Sequence, residues 1–127
     1  IPVGLMLDDS DDYTLTYKNL KAHSSEKTRM LIVCTPNNPT GKILDLFEIK
    51  AIERFANEND VYVLSDEVYE KIVYTEKQVI SPASVEGLKD RTITVNGFSK
   101  TYAMTGWRLG YLAAPSNLVA IINKLHI

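Results

Sequence analysis

The chain has 127 residues, 14 Lys and Arg against 16 Asp and Glu, a net charge of −2, and a hydrophobic content of 45%. That balance describes a globular domain with one core and excludes a disordered tail. It also lacks the basic excess of a nucleic-acid-binding domain. No apolar run approaches the ~18 residues of a transmembrane helix, and no basic stretch followed by an apolar one opens the chain as a secretory leader would. Neither nucleic acid nor membrane is therefore expected as a partner. The one cysteine, Cys34, has no internal disulfide partner, which suits a reducing compartment such as the cytoplasm.

In chain order, the stretch from Leu7 to Thr28 is polar and reads as a solvated loop. Its acidic residues Asp8, Asp9, Asp11 and Asp12 lack the central Gly and closing Glu of a calcium loop, so no metal site is expected. Met30–Thr35 is a short continuous apolar run, the pattern of a strand buried on both faces. Pro36-Asn37-Asn38-Pro39-Thr40-Gly41 interrupts it. Asp45 and Glu48 have the spacing of a capping box, and Ile49, Ile52, Phe55 and Ala56 place one apolar face on a helix ending near Asn59. Val61–Leu64 predicts a second buried strand, and Glu67 to Val73 a short helical piece. A loop through Ser81-Pro82 leads to a third strand, Thr92–Asn96. Alternation of this kind implies a parallel α/β sheet with flanking helices. A fourth strand, Arg108–Ala114, follows after too few residues for a parallel crossover, so it is expected to run antiparallel beside the third. Ser116 to Ile127 reads as an amphipathic helix without a stop signal. With Ile at position 1, this predicts that the chain is part of something larger.

Ligands of open α/β sheets bind beyond the carboxyl ends of the strands. This topology sends Asn38, Asp66, Lys100 and Arg108 to that edge, with Tyr69 one turn after Asp66. An amide, a carboxylate, an amine, a guanidinium and a phenol suit pyridoxal phosphate, which presents an aldehyde, a phenolic oxygen, a ring nitrogen and a phosphate. Taken singly, each residue has a plainer role: Lys100 a surface lysine, Asp66 a helix cap, Tyr69 packing, Asn38 a turn, Arg108 a surface ion-pair partner. Trp107 and Tyr102 read as packing residues, His23 and His126 have no partner pattern, and Cys34 reads as a small apolar residue. Thr40-Gly41-Lys42 is no P-loop, because Pro36 stands where the first glycine should be.

The run Gly97-Phe98-Ser99-Lys100-Thr101-Tyr102-Ala103-Met104-Thr105-Gly106-Trp107-Arg108-Leu109-Gly110 closely resembles the cofactor-lysine signature of class I/II aminotransferases, which are fold-type I pyridoxal phosphate enzymes. Asn38-Pro39-Thr40-Gly41 and Ser65-Asp66-Glu67-Val68-Tyr69 resemble two further motifs of that family, in family order. The resemblance implies that Lys100 is the Schiff-base lysine and general base, and that Asp66 faces the pyridine nitrogen. It also implies that Asn38 and Tyr69 hold the phenolic oxygen and that Arg108 binds the phosphate. Relatives often place a serine hydroxyl where this chain has Gly97; Ser99 is the substitute for that contact.

The implied domain organisation is one incomplete domain, residues 1–127, the central part of the large cofactor-binding domain. The N-terminal part and the small C-terminal domain are absent. With them go the phosphate-cradling turn, the ring-stacking aromatic and the substrate-carboxylate arginine. The implied activity is amino-group transfer between an amino acid and a 2-keto acid by a protein that is a homodimer when full length, the isolated chain being inactive. A lyase of the same fold and a non-catalytic fragment retaining the fold are the alternatives.

Overall fold

The computed structural model describes residues 1–125; His126 and Ile127, at the end of the predicted C-terminal helix, lie outside the described residues. Four strands form one sheet: β1 (Met30–Cys34), β2 (Tyr62–Asp66), β3 (Thr92–Gly97) and β4 (Gly110–Ala113), ordered as they occur in sequence. β1 pairs with β2 and β2 with β3 in parallel, and β3 pairs with β4 antiparallel. The predicted antiparallel reversal is thus present. β4 begins two residues later than expected because Arg108 occupies the left-handed region, at φ 53°, where no strand continues.

Between β1 and β2 runs α2 (Leu46–Glu58), opened by the expected capping box. The Asp45 carboxylate accepts from the Glu48 N–H at 2.8 Å, and Glu48 Oε2 accepts from the Asp45 N–H at 2.9 Å. Ile49, Ile52, Phe55 and Ala56 on this helix are buried against Val61, Val63 and Leu88. Each such large side chain contributes roughly 1.5–3 kcal/mol by leaving water. Glu48 is buried too, and its charge is compensated: Oε1 accepts from the Leu15 N–H at 2.9 Å, and Oε2 lies 3.5 Å from Lys42 Nζ.

Three expectations are corrected. The polar stretch before β1 is not simply solvated. It contains α1 (Tyr17–Ala22), capped reciprocally by Thr16 and Asn19, and it sends Leu15 and Leu20 into the core. A helix of six residues is too short for an apolar period to show. β1 is not buried on both faces either: Met30 is 42% exposed and Ile32 68%, because α2 covers one side of the sheet and β1 lies at its edge. Finally, Glu67 to Val73 is not a helix. It is a chain of turns in which the Glu70 N–H donates to Glu67 O at 2.9 Å and the Ile72 N–H to Tyr69 O at 2.8 Å. The side chain of Asp66 accepts from the Val68 N–H at 3.1 Å, an Asx-type turn that competes with helix initiation. The C-terminal helix is present but shorter than expected: α4 (Ser116–Ile122) gives way to a turn at 123–125; α3 (Phe98–Thr101) follows β3 directly.

Candidate active site

The loop after β1 is built from its backbone outward. Thr35 is fully buried. Its N–H donates to Asp66 O at 3.0 Å, extending the ladder, and its hydroxyl accepts from the Leu44 N–H at 3.1 Å. The loop then closes on itself: the Asn37 N–H donates to Lys42 O and the Gly41 N–H to Asn37 O, both at 2.8 Å. Gly41 takes φ +72°, a conformation that side-chain-bearing residues adopt at a cost. Asn38 is left exposed on this closed loop, and its Nδ2 donates to the Tyr69 hydroxyl at 3.1 Å.

Tyr69 is half-buried on the turn that follows Asp66. On its other side, Lys100 Nζ lies 5.5 Å from the centroid of the Tyr69 ring. Lys100 belongs to α3, which is held by an aromatic cluster: the Phe98 ring stands 5.5 Å from Tyr102 and 5.7 Å from Tyr111 on β4. Where β4 turns back beside β3, a Cβ at Gly110 would lie 3.1 Å from Asn96 O, so the two backbones approach too closely for most side chains.

Asn38, Tyr69 and Lys100 are therefore brought together, and Asp66 ends the strand that leads into the Tyr69 turn. Asp66 stands in register with Cys34 and Val95 on the side of the sheet opposite α2. Ser99 is half-buried on α3. Arg108 is exposed at the start of the β4 approach and uses Nη1 on its own turn, donating to Thr105 O at 3.0 Å; among the described residues no side-chain hydrogen bond or ion pair joins it or Ser99 to the other candidate residues. At Gly97 an added Cβ would meet Leu109 O at 3.5 Å and Val68 Cγ2 at 3.6 Å, ordinary contacts that leave room for a side chain.

A cavity of about 410 Å³ opens beside Asn38 and Tyr69, with Asp12, Lys42, Tyr74 and Lys77 in its walls. Burial pulls the Lys42 amine down, but Asp12 at 3.2 Å and Glu48 at 3.5 Å outweigh it and hold the amine above its ordinary value. Burial pushes the Cys34 thiol up, consistent with an unreactive thiol. Sequence reading gave no reason to single out Thr35 or Glu48 as supports of this edge, since their partners lie nine and thirty-three residues away. Only the capping role of Glu48 has a local signal.

The sheet is an α/β sheet whose carboxyl edge carries an amide, a carboxylate, a phenol and an amine, at the place where open α/β sheets bind ligands. The chain belongs to the class I and II aminotransferase family, whose profile matches residues 2–126. It is 48% identical over 126 residues to an aspartate aminotransferase of Pyrococcus abyssi, covering 99% of this chain and 32% of that protein. It is 49% identical over 118 residues to aromatic-amino-acid aminotransferase 2 of Thermococcus litoralis, covering 93% and 30%. Among solved structures, a Thermus thermophilus aspartate aminotransferase double mutant superposes with a TM-score of 0.91 at 33% identity over 98% of this chain and 32% of that one. The chain thus spans about a third of the length of the curated relatives it matches.

Proposed function

We propose that the chain carries the cofactor-facing part of a pyridoxal phosphate-dependent aminotransferase that acts on amino acids and 2-keto acids. The Asn38–Tyr69 pair beside Lys100 is the observation that carries this reading. The Tyr69 hydroxyl accepts from Asn38 and so keeps its own proton to donate, while Asn38 retains a second amide hydrogen. Two donors converge beside a primary amine, which is what a phenolic oxygen next to an aldehyde requires.

The donor set fits the cofactor group by group. Asp66 suits the pyridine nitrogen, Asn38 and Tyr69 the phenolic oxygen, Arg108 and Ser99 the phosphate, and Lys100 the covalent link. Pyridoxal phosphate, when bound, supplies an electron sink that acidifies the substrate Cα–H bond. Asp66 would keep a proton on the ring nitrogen through a charge-assisted hydrogen bond. Arg108 spends one N–H on Thr105 and offers the rest of its planar fork to phosphate oxygens. Lys100, as a free primary amine beside Tyr69, would take the proton from the substrate Cα as general base. A carbon–sulfur or cyclopropane-forming lyase would use the same residues; the relatives' names, aspartate and aromatic aminotransferases, favour transfer. We place the intact protein in the cytoplasm as a homodimer. The unpaired Cys34 supports the compartment, and no helix among the described residues is long and apolar enough to cross a membrane.

The decisive experiment is Lys100→Ala in the intact protein. It should abolish amino-group transfer, and borohydride should then fix no cofactor to the protein, whereas in the unaltered protein peptide mapping should find it on Lys100. Cofactor trapped on another lysine would overturn the assignment.

A further inference from the structure

Glu67 is a buried carboxyl, 3% exposed, that the reading above leaves unused. It lies between Asp66 and Tyr69 in sequence, yet its side chain bonds to Ser65, on the α2-covered side of the sheet. Its Oε1 accepts two hydroxyl hydrogen bonds, from Ser65 at 2.9 Å and from Ser81 at 2.7 Å. Its N–H donates to Val95 O at 2.9 Å and its carbonyl accepts from the Glu70 N–H at 2.9 Å. Glu67 is thus where the chain leaves the sheet, and Ser81, just ahead of the turn at Pro82–Ser84, is where it comes back beside Glu67. The excursion between them contains no helix or strand. It carries Tyr69 and supplies Ile72, Val73 and Tyr74 to the cavity wall.

A buried carboxyl is costly unless hydrogen-bonded. Burial pushes the Glu67 carboxyl up, the two serine donors oppose this, and Asp66 and Glu70 add to the upward push. Both serine partners stand at the feet of the excursion rather than in the apolar core, so the cost is tied to where this loop begins and ends. A segment without regular structure takes its shape from such closures, since fixing its ends removes much of its conformational freedom.

We propose that Glu67 is a positioning residue: it clasps the two feet of the 67–81 excursion and so holds the Tyr69 hydroxyl at the Asn38 amide. The inference rests on the cofactor-facing reading of Asn38 and Tyr69.

The test uses the intact protein with Glu67→Ala, Glu67→Gln, Ser81→Ala, Tyr69→Phe and the Glu67→Ala/Tyr69→Phe pair. Hydrogen exchange is measured without cofactor, and pyridoxal phosphate affinity is measured by titration. Glu67→Ala should speed exchange in peptides from 68–80 and leave those from α2 unchanged. Glu67→Gln should behave nearly as the unaltered protein, because its amide oxygen accepts both hydroxyls. Glu67→Ala should weaken pyridoxal phosphate binding by about tenfold, the scale of one hydrogen bond to a charged group, and should add nothing in the Tyr69→Phe background. Ser81→Ala keeps the carboxyl and loses one tie; it should give the same local signature at smaller size, and it stands in for Glu67→Ala if that variant does not fold. Unchanged exchange over 68–80, faster exchange throughout the sheet, or a full affinity loss on top of Tyr69→Phe would each overturn the proposal. If the unaltered protein binds no pyridoxal phosphate, the site reading falls, and the exchange pattern alone decides whether Glu67 clasps the loop.

Discussion

Asp66 and Glu67 are adjacent carboxyl groups with opposite surroundings. Asp66 is half-buried at the carboxyl edge, bonded to the Val68 N–H. Asp66→Asn should keep most cofactor binding but cut turnover by about ten- to a hundredfold. The amide cannot hold a pyridinium proton, a charge-assisted bond is worth ~1.5–3 kcal/mol, and ~1.36 kcal/mol of barrier is tenfold in rate. Comparing kcat with the pyridoxal phosphate dissociation constant checks this, and near-normal turnover would remove Asp66 from its role. Glu67 has a folded-state pKa raised above 4.5, chiefly by burial. The folded protein therefore holds the proton more tightly than the unfolded chain. Stability from this group is complete below about pH 4.5 and is lost as pH rises through the folded value. Glu67→Gln carries no such loss, so the difference in urea midpoints should move in favour of Gln from pH 4.5 to 8. A difference that stays flat over that range would mean that burial leaves the carboxyl unshifted.

Among the elements, α2 was the most legible from sequence. Asp45 and Glu48 are three residues apart, and Ile49, Ile52, Phe55 and Ala56 follow at helical spacing, so cap and face are both written locally. Asp45→Ala should cost about 0.5–2 kcal/mol, read as a lower denaturant midpoint with unchanged slope, since it removes the bond that the Glu48 N–H donates to the Asp45 carboxylate and leaves the Glu48 side-chain bonds in place. The first two parallel strands were legible for the same reason, being short apolar runs, whereas β3, Thr-Ile-Thr-Val-Asn, alternates polar and apolar residues. The Tyr69 turn was misread as helix because the competing bond, Asp66 to the Val68 N–H, leaves no trace in apolar spacing. The Asn38, Asp66, Tyr69, Lys100 and Arg108 set followed from the expected strand ends, and the motif resemblance gave each residue its role. That Arg108 turns back on Thr105 follows from its positive φ, which no sequence pattern announces.

For the molecule as a whole, one side of the sheet is packed and the other is open. Met30, Ile32, Tyr62 and Leu112, which share the open side by register, are all exposed. An apolar patch of this kind drives association. Residues 1–127 expressed by themselves should therefore self-associate, and should show no amino-group transfer because they make up about a third of the length of their relatives. Light scattering and an assay across a panel of amino and keto acids check the two halves of this expectation. A monodisperse monomer counters the first, and turnover like that of the intact protein counters the second.

Strand order in this sheet follows chain order from one edge to the other. Each strand after β1 therefore pairs with the strand immediately before it in the chain. A protein made from its N-terminus can lay down such a sheet one ribbon at a time during synthesis. The Tyr111 contact on Phe98, which helps to hold the lysine-bearing helix, needs β4 folded back beside β3. A chain ending before Gly110 would lack the strand that carries Tyr111, and with it that support for the helix bearing Lys100.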